Sequence, residues 1–171
     1  IAVLFEPVVL PAMSKDALAG NTTGSNNTAI GKAALRANTT AENNTGLGFF
    51  ALAANTTGTQ NTAIGAYSLD ANTTANTNTA IGYNSMTLTT TGANNVGVGA
   101  KSLGSNTTGA SNTAVGYQSL LANTTAEFNT AVGRNAMVST TTGGANTAMG
   151  DTALGVNTTG TNNVAIGYGS L

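Results

Sequence analysis

A glycine recurs every 17 residues along this chain, at Gly31, Gly48, Gly65, Gly82, Gly99, Gly116, Gly133, Gly150 and Gly167, with no insertion or deletion between copies. Self-similarity at a fixed short period marks a stacked repeat architecture. In such a stack each unit contacts only its neighbours, so chain length sets the length of the stack and not the radius of a core.

The stretch Asn21 to Gly31 (NTTGSNNTAIG) is the unit that the later copies reissue. One long apolar side chain stands in each copy, from Leu18 and Leu35 through Met86 and Met137 to Leu171. A second apolar position runs from Ile30 and Leu47 to Met149 and Ile166. Two apolar anchors per unit are too few for a helix, whose buried stripe takes about three or four per two turns. The abundance of Thr, Asn and Gly also opposes helix. The reading is all-β: a parallel β-solenoid (β-roll) of nine 17-residue coils, two short strands per coil, over residues 16–171. At the usual spacing of neighbouring strands it is about 43 Å long.

Alternation sorts the faces. Thr28 and Ile30 share one side of the first strand, and Val replaces Thr in two copies, at Val96 and Val164, so this side is expected to face the core. The opposite side carries Ala29, where only Ala or Gly occurs, and Ala34 of the second strand, where only Ala or Ser occurs. Something packs too closely there for a larger side chain. A neighbouring chain is the expected occupant, with Ala29, Ala63, Ala80 and Ala114 as assembly residues.

Asn27, Asn44, Asn61, Asn78, Asn95, Asn112, Asn129, Asn146 and Asn163 form a position that is always Asn. Stacked coils turn such a position into a ladder of amides bonding up and down the stack. The Thr pairs from Thr22-Thr23 to Thr158-Thr159 are equally unbroken, and one member of each is expected to face inward. Fixing a backbone costs about 1–2 kcal/mol per residue, more than one Leu and one Ile per coil return at about 1.5–3 kcal/mol each. Ladders, backbone pairing and contact with further copies must therefore supply the rest.

The repeats NTTGSNNTAIGKAAL and NTTGASNTAVGYQSL resemble those of trimeric autotransporter adhesin heads, and of phage and bacterial fibre proteins that carry intramolecular chaperone domains. The resemblance implies a β-roll and a homotrimer at a cell surface or on a virion fibre. It also implies an adhesive role, with a surface receptor or glycan as ligand.

Residues 1–15 lie outside the repeat, as an N-terminal arm or cap. Val3 and Phe5 alternate there before Pro7 and Pro11, a pattern for a short edge strand followed by an extended arm. A whole number of periods separates Leu18 from Leu171. Head-to-tail stacking of identical chains would thus continue the coils, with Leu171 at the junction and Val3 and Phe5 strapping it. Contacts of that kind that do not close make open filaments.

Charged residues make up 6% of the chain, the net charge is −1, and His and Cys are absent. There is no basic footprint for nucleic acid and no apolar run of the roughly 18 residues that cross a bilayer. Six carboxylates spread along the stack offer no acid/base pair, so no enzyme, cofactor or metal site is expected. Gly46-Leu47-Gly48 and Gly97-Val98-Gly99 are ordinary coil rather than phosphate loops. The Asn-Thr-Thr triplets match the N-glycosylation acceptor but serve the turn. Tyr83, Tyr117 and Tyr168 share one exposed turn position with Phe49, fit for a receptor, a sugar or a neighbouring chain. The function expected is a structural subunit of an extracellular filament or fibre. The alternatives are an adhesin head and, with rows of Thr hydroxyls, an ice-binding protein.

Overall fold

The computed structural model describes residues 14–171. The expectations placed on Val3, Phe5 and the rest of the arm up to residue 13 lie outside them. Nine three-residue strands follow one another: β1 (Thr28–Ile30), β2 (Thr45–Leu47), β3 (Thr62–Ile64), β4 (Thr79–Ile81), β5 (Val96–Val98), β6 (Thr113–Val115), β7 (Thr130–Val132), β8 (Thr147–Met149) and β9 (Val164–Ile166). They form one parallel sheet in sequence order. Each residue pairs with its counterpart one period on, Thr28 with Thr45, Ala29 with Gly46, Ile30 with Leu47 and so along the chain. The unbroken spacing of 17 dictates this: a one-residue slip would turn every strand over.

Each coil holds one strand, not two. Where the sequence pattern predicts the second strand, around Ala34 to Ala37, the chain makes overlapping turns. Ala34 N–H donates to the Gly31 carbonyl (3.1 Å), Arg36 N–H to Ala33 (3.3 Å) and Asn38 N–H to Leu35 (3.1 Å). Ala33 and Leu35 are left-handed, at φ 58° and 51°, and the same two positions are left-handed in the coils that follow. Apolar residues two apart therefore come from this tight alternation and not from a pleat. The turns still pair with their neighbours: Leu35 N–H reaches the Ala51 carbonyl at 2.9 Å, and Phe50 N–H reaches Lys32 at 3.0 Å.

The faces of the strand are the reverse of the sequence expectation. Ala29, Ala63, Ala80 and Ala114 are buried inside the coil, while Ile30, Leu47 and Ile81 point outward, each more than a third exposed. The interior is narrow, and the column Leu35, Leu52, Leu69, Met86, Leu103, Leu120, Met137 fills it. Opposite that column a strand has room for Ala or Gly alone. A Cβ on Gly46 would lie 3.4 Å from Leu35 Cγ, and one on Gly97 would lie 2.9 Å from Ser85 Oγ and 3.2 Å from Met86 Cε. The sequence rule of small residues is thus sound, but what crowds them is the same chain. They are interior and present no face to a neighbour.

The invariant glycine closes the strand. Gly31 sits at φ 125°, and a Cβ there would run into the carbonyl of Gly48. The next seven copies meet the same obstruction from the glycine above, so no other residue fits.

Candidate functional site

Several surfaces and columns of the described residues are candidates for a functional role. The first is the outward side of β1–β9. Thr occupies its first rank in seven of nine strands, with Val96 and Val164 in the others, and Ile, Leu, Val or Met fills its second rank throughout. No charged side chain stands in either rank. Strands about 4.8 Å apart set out these ranks as two rows.

The second is the Asn27 column, which holds coil to coil through the backbone. Asn44 N–H donates to Asn27 Oδ1 at 2.9 Å, and the same bond recurs at 2.9–3.0 Å up to Asn163 on Asn146. From Asn27 to Asn146 each Nδ2 in turn donates to a carbonyl in the next coil, Asn27 to Ala41 at 2.7 Å and Asn44 to Gly58 at 2.8 Å. The side chain therefore closes two buried backbone groups. Direct amide-to-amide bonds, the form the sequence predicts, are present at Asn112, Asn146 and Asn163.

A parallel column is built by the Asn-Thr-Thr asparagines, which the sequence assigns to closing the turn and building the ladder. Asn21, Asn38, Asn55, Asn72, Asn106, Asn123 and Asn157 are the triplet asparagines, and Thr89 and Thr140 interrupt them. Here amides do bond to amides: Asn38 Nδ2 to Asn21 Oδ1 at 2.8 Å, Asn55 to Asn38 at 3.0 Å and Asn72 to Asn55 at 2.8 Å. Each also closes its own turn three residues on, as Asn38 Nδ2 does with the Ala41 carbonyl at 3.1 Å. Below each interruption the ladder has a loose end, for Asn72 Oδ1 and Asn123 Oδ1 are buried without a partner. Substitution by Thr in the repeat was the visible signal. Asn38, Asn55, Asn72, Asn106 and Asn123 are fully buried, so as acceptor triplets they are closed.

The Thr pairs divide differently from the expectation of one in and one out. The first of each pair, such as Thr39, donates its hydroxyl to the carbonyl of the Thr one coil on (3.1 Å to Thr56). The second, such as Thr40, is exposed.

The third surface is the turn after each glycine. Phe49 and Phe50 lie 4.6 Å apart by ring centroid, Phe49 and Tyr67 meet edge-on at 5.3 Å, and Tyr67 and Tyr83 at 6.4 Å. Lys32 Nζ stands 5.6 Å over Phe49 and Arg36 Cζ 5.4 Å over Phe50, at cation–π distance. These rings pack on one another. Tyr117 and Tyr168, at the same turn position further along, are exposed.

The fourth is a notch of about 450 Å³ on the opposite turn, between Phe128 and Asn162, with Gly144 and Ala145 as its floor. Its sequence signal was faint: one Phe among polar residues, followed one coil later by the smallest pair.

Ionisable groups are sparse. Arg134 and Asp151 pair across one coil at 2.9 Å in the open, where such a pair contributes about 0–1 kcal/mol. Asp70 is half-buried, and burial raises its carboxyl above the ordinary value although Thr87 Oγ1 donates to it at 2.6 Å. Among the described residues no three acidic side chains gather, and no helix is long and apolar enough to cross a membrane. Leu171 is exposed.

Comparison with known proteins matched no family model, no curated protein and no solved structure.

Proposed function

We propose that this β-solenoid is a structural element of an extracellular fibre, and that copies associate side by side through the outward Thr and aliphatic ranks of β1–β9. What supports the reading is the exposure of an unbroken aliphatic rank: Ile30 is 38% exposed, Leu47 41% and Met149 48%. Contiguous apolar surface of this kind marks protein contact on soluble chains. A row repeating about every 4.8 Å engages a partner at every rank only if the partner has the same repeat, and a second copy has it by construction. With no charge in either rank, bringing two copies together costs no ionic desolvation. The resemblance to trimeric adhesin heads makes three copies the expected stoichiometry. Assembly through the small-residue face is withdrawn, since those residues are interior.

Sedimentation velocity tests it. The native chain should sediment as a discrete oligomer. The triple variant Leu47→Lys, Ile81→Lys, Val115→Lys should sediment as a monomer with an unchanged β-type circular dichroism spectrum. A native monomer at high concentration, or a triple variant that still associates, would overturn the reading.

The same two rows favour a second reading, ice binding, because Thr and its aliphatic partner stand two apart on one outward face of the sheet. A monomeric native chain that arrests ice recrystallisation, and a triple variant that does not, would favour it over the first.

A further inference from the structure

The column from Asn26 to Asn162 is left-handed in every coil, at φ 56–60°. Asn, Gln, Thr, Ser or Ala fills it, except at Phe128. A left-handed backbone favours Asn and penalises bulky residues, and Phe128 is 64% exposed, so its ring gains little from burial. Folding therefore does not explain Phe128, and an unexplained local strain is a reason to look for function. One coil on, the same two positions hold Gly144 and Ala145, the smallest pair in the column and its neighbour. The two departures open on the same space, the notch of about 450 Å³. That lies within the usual range of small-molecule sites, about 300–1,000 Å³.

We propose that this notch is a binding site for one or two neutral hexose units of a glycan. Phe128 offers a ring face for the C–H face of a pyranose. On the same wall the Glu127 carboxylate, which no side chain of the described residues engages, is an acceptor for paired hydroxyls. From the far wall Asn162 adds an amide, held by its Nδ2 on Thr161 Oγ1 at 3.3 Å. Thr125 and Thr142 line the side with exposed hydroxyls. An aromatic face beside a carboxylate and an amide matches the two-sided chemistry of a sugar, apolar on its ring face and polar at its rim. No Lys or Arg lines the notch, which disfavours an anionic ligand, and a single carboxylate is too few oxygens for a cation. None of the lining residues belongs to a strand, so the site is separate from the outward ranks.

The experiment screens the native chain against immobilised neutral oligosaccharides, with Phe128→Asn and Glu127→Gln as paired variants. Phe128→Asn restores the common residue of the column and should melt no lower than the native chain, so loss of binding in it is not loss of fold. The native chain should retain a subset of neutral glycans. Each variant should weaken that binding about tenfold or more while sedimentation stays native. No retained glycan, binding to a peptide or charged glycan alone, or binding that survives both variants would overturn the proposal. Sedimentation is read in the same samples, so failure here is distinguishable from failure of side-by-side association.

Discussion

The two asparagine columns run side by side through one solenoid and share acceptors, since the Ala41 carbonyl accepts a hydrogen bond from both Asn27 and Asn38. Yet one is unbroken and the other is interrupted at Thr89 and Thr140. What each side chain closes accounts for this. In the Asn27 column the carboxamide satisfies a backbone N–H of the next coil and a carbonyl there, and a buried backbone group left open costs about 1–3 kcal/mol. In the Asn38 column the amides bond to one another and to turn carbonyls that the Asn27 column already serves. Losing one leaves a side-chain oxygen unpaired, a smaller fault that the chain carries twice. A repeat protein thus tolerates defects where side chains bond to side chains and excludes them where side chains complete the backbone.

Replacing a residue in each column breaks the comparison open. Asn78→Ala removes the acceptor of Asn95 N–H and the donor to the Gly92 carbonyl, and should lower unfolding free energy by about 3 kcal/mol or more. Asn72→Ala should cost less, about 1–2 kcal/mol, because the Ala75 carbonyl keeps its bond from Asn61. Chemical denaturation of the pair checks the order, and equal losses would refute the distinction.

Thr89→Asn mends the second column. The new amide can donate to Asn72 Oδ1, and stability should rise by about 1–2 kcal/mol, read as a higher denaturation midpoint. Phe128→Asn probes a column held by backbone conformation alone. It should gain about 1 kcal/mol by relieving a bulky left-handed residue.

Asp70 sharpens the contrast from the side of charge, for it also bridges coils, through Thr87, but with an ionisable group. Burial raises its folded carboxyl above the ordinary value. The unfolded chain therefore releases this proton more readily, and the group's contribution to stability falls as pH rises through the window above its unfolded value. Asp70→Asn should raise the melting temperature near neutral pH and leave it unchanged in acid below that window. It is the smallest effect of the series.

The period, the parallel register and the solenoid were legible in the sequence because identical units stacked in register repeat every constraint at one interval. The Asn27 column was legible for the same reason. The inward and outward faces were not. Ile30 and Leu35 are equally apolar letters, and only the narrowness of the interior decides that Leu35 enters while Ala29, not Ile30, lies against it. The supposed second strand failed because two left-handed residues two apart, Ala33 and Leu35, imitate the period of a pleat. The notch at Phe128 needed geometry, since it arises from residues one whole coil apart.

The face assignment carries the account, and thiol labelling tests it most directly, because the chain has no cysteine of its own. Ala80 is wholly buried and its neighbour Ile81 is 37% exposed. At dilutions where copies are apart, the Ile81→Cys variant should react with a water-soluble thiol reagent at nearly the rate of an unfolded chain. The Ala80→Cys variant should stay unreactive until denaturant opens the coil. Rapid labelling of Ala80→Cys in the native state, with Ile81→Cys protected, would contradict the account.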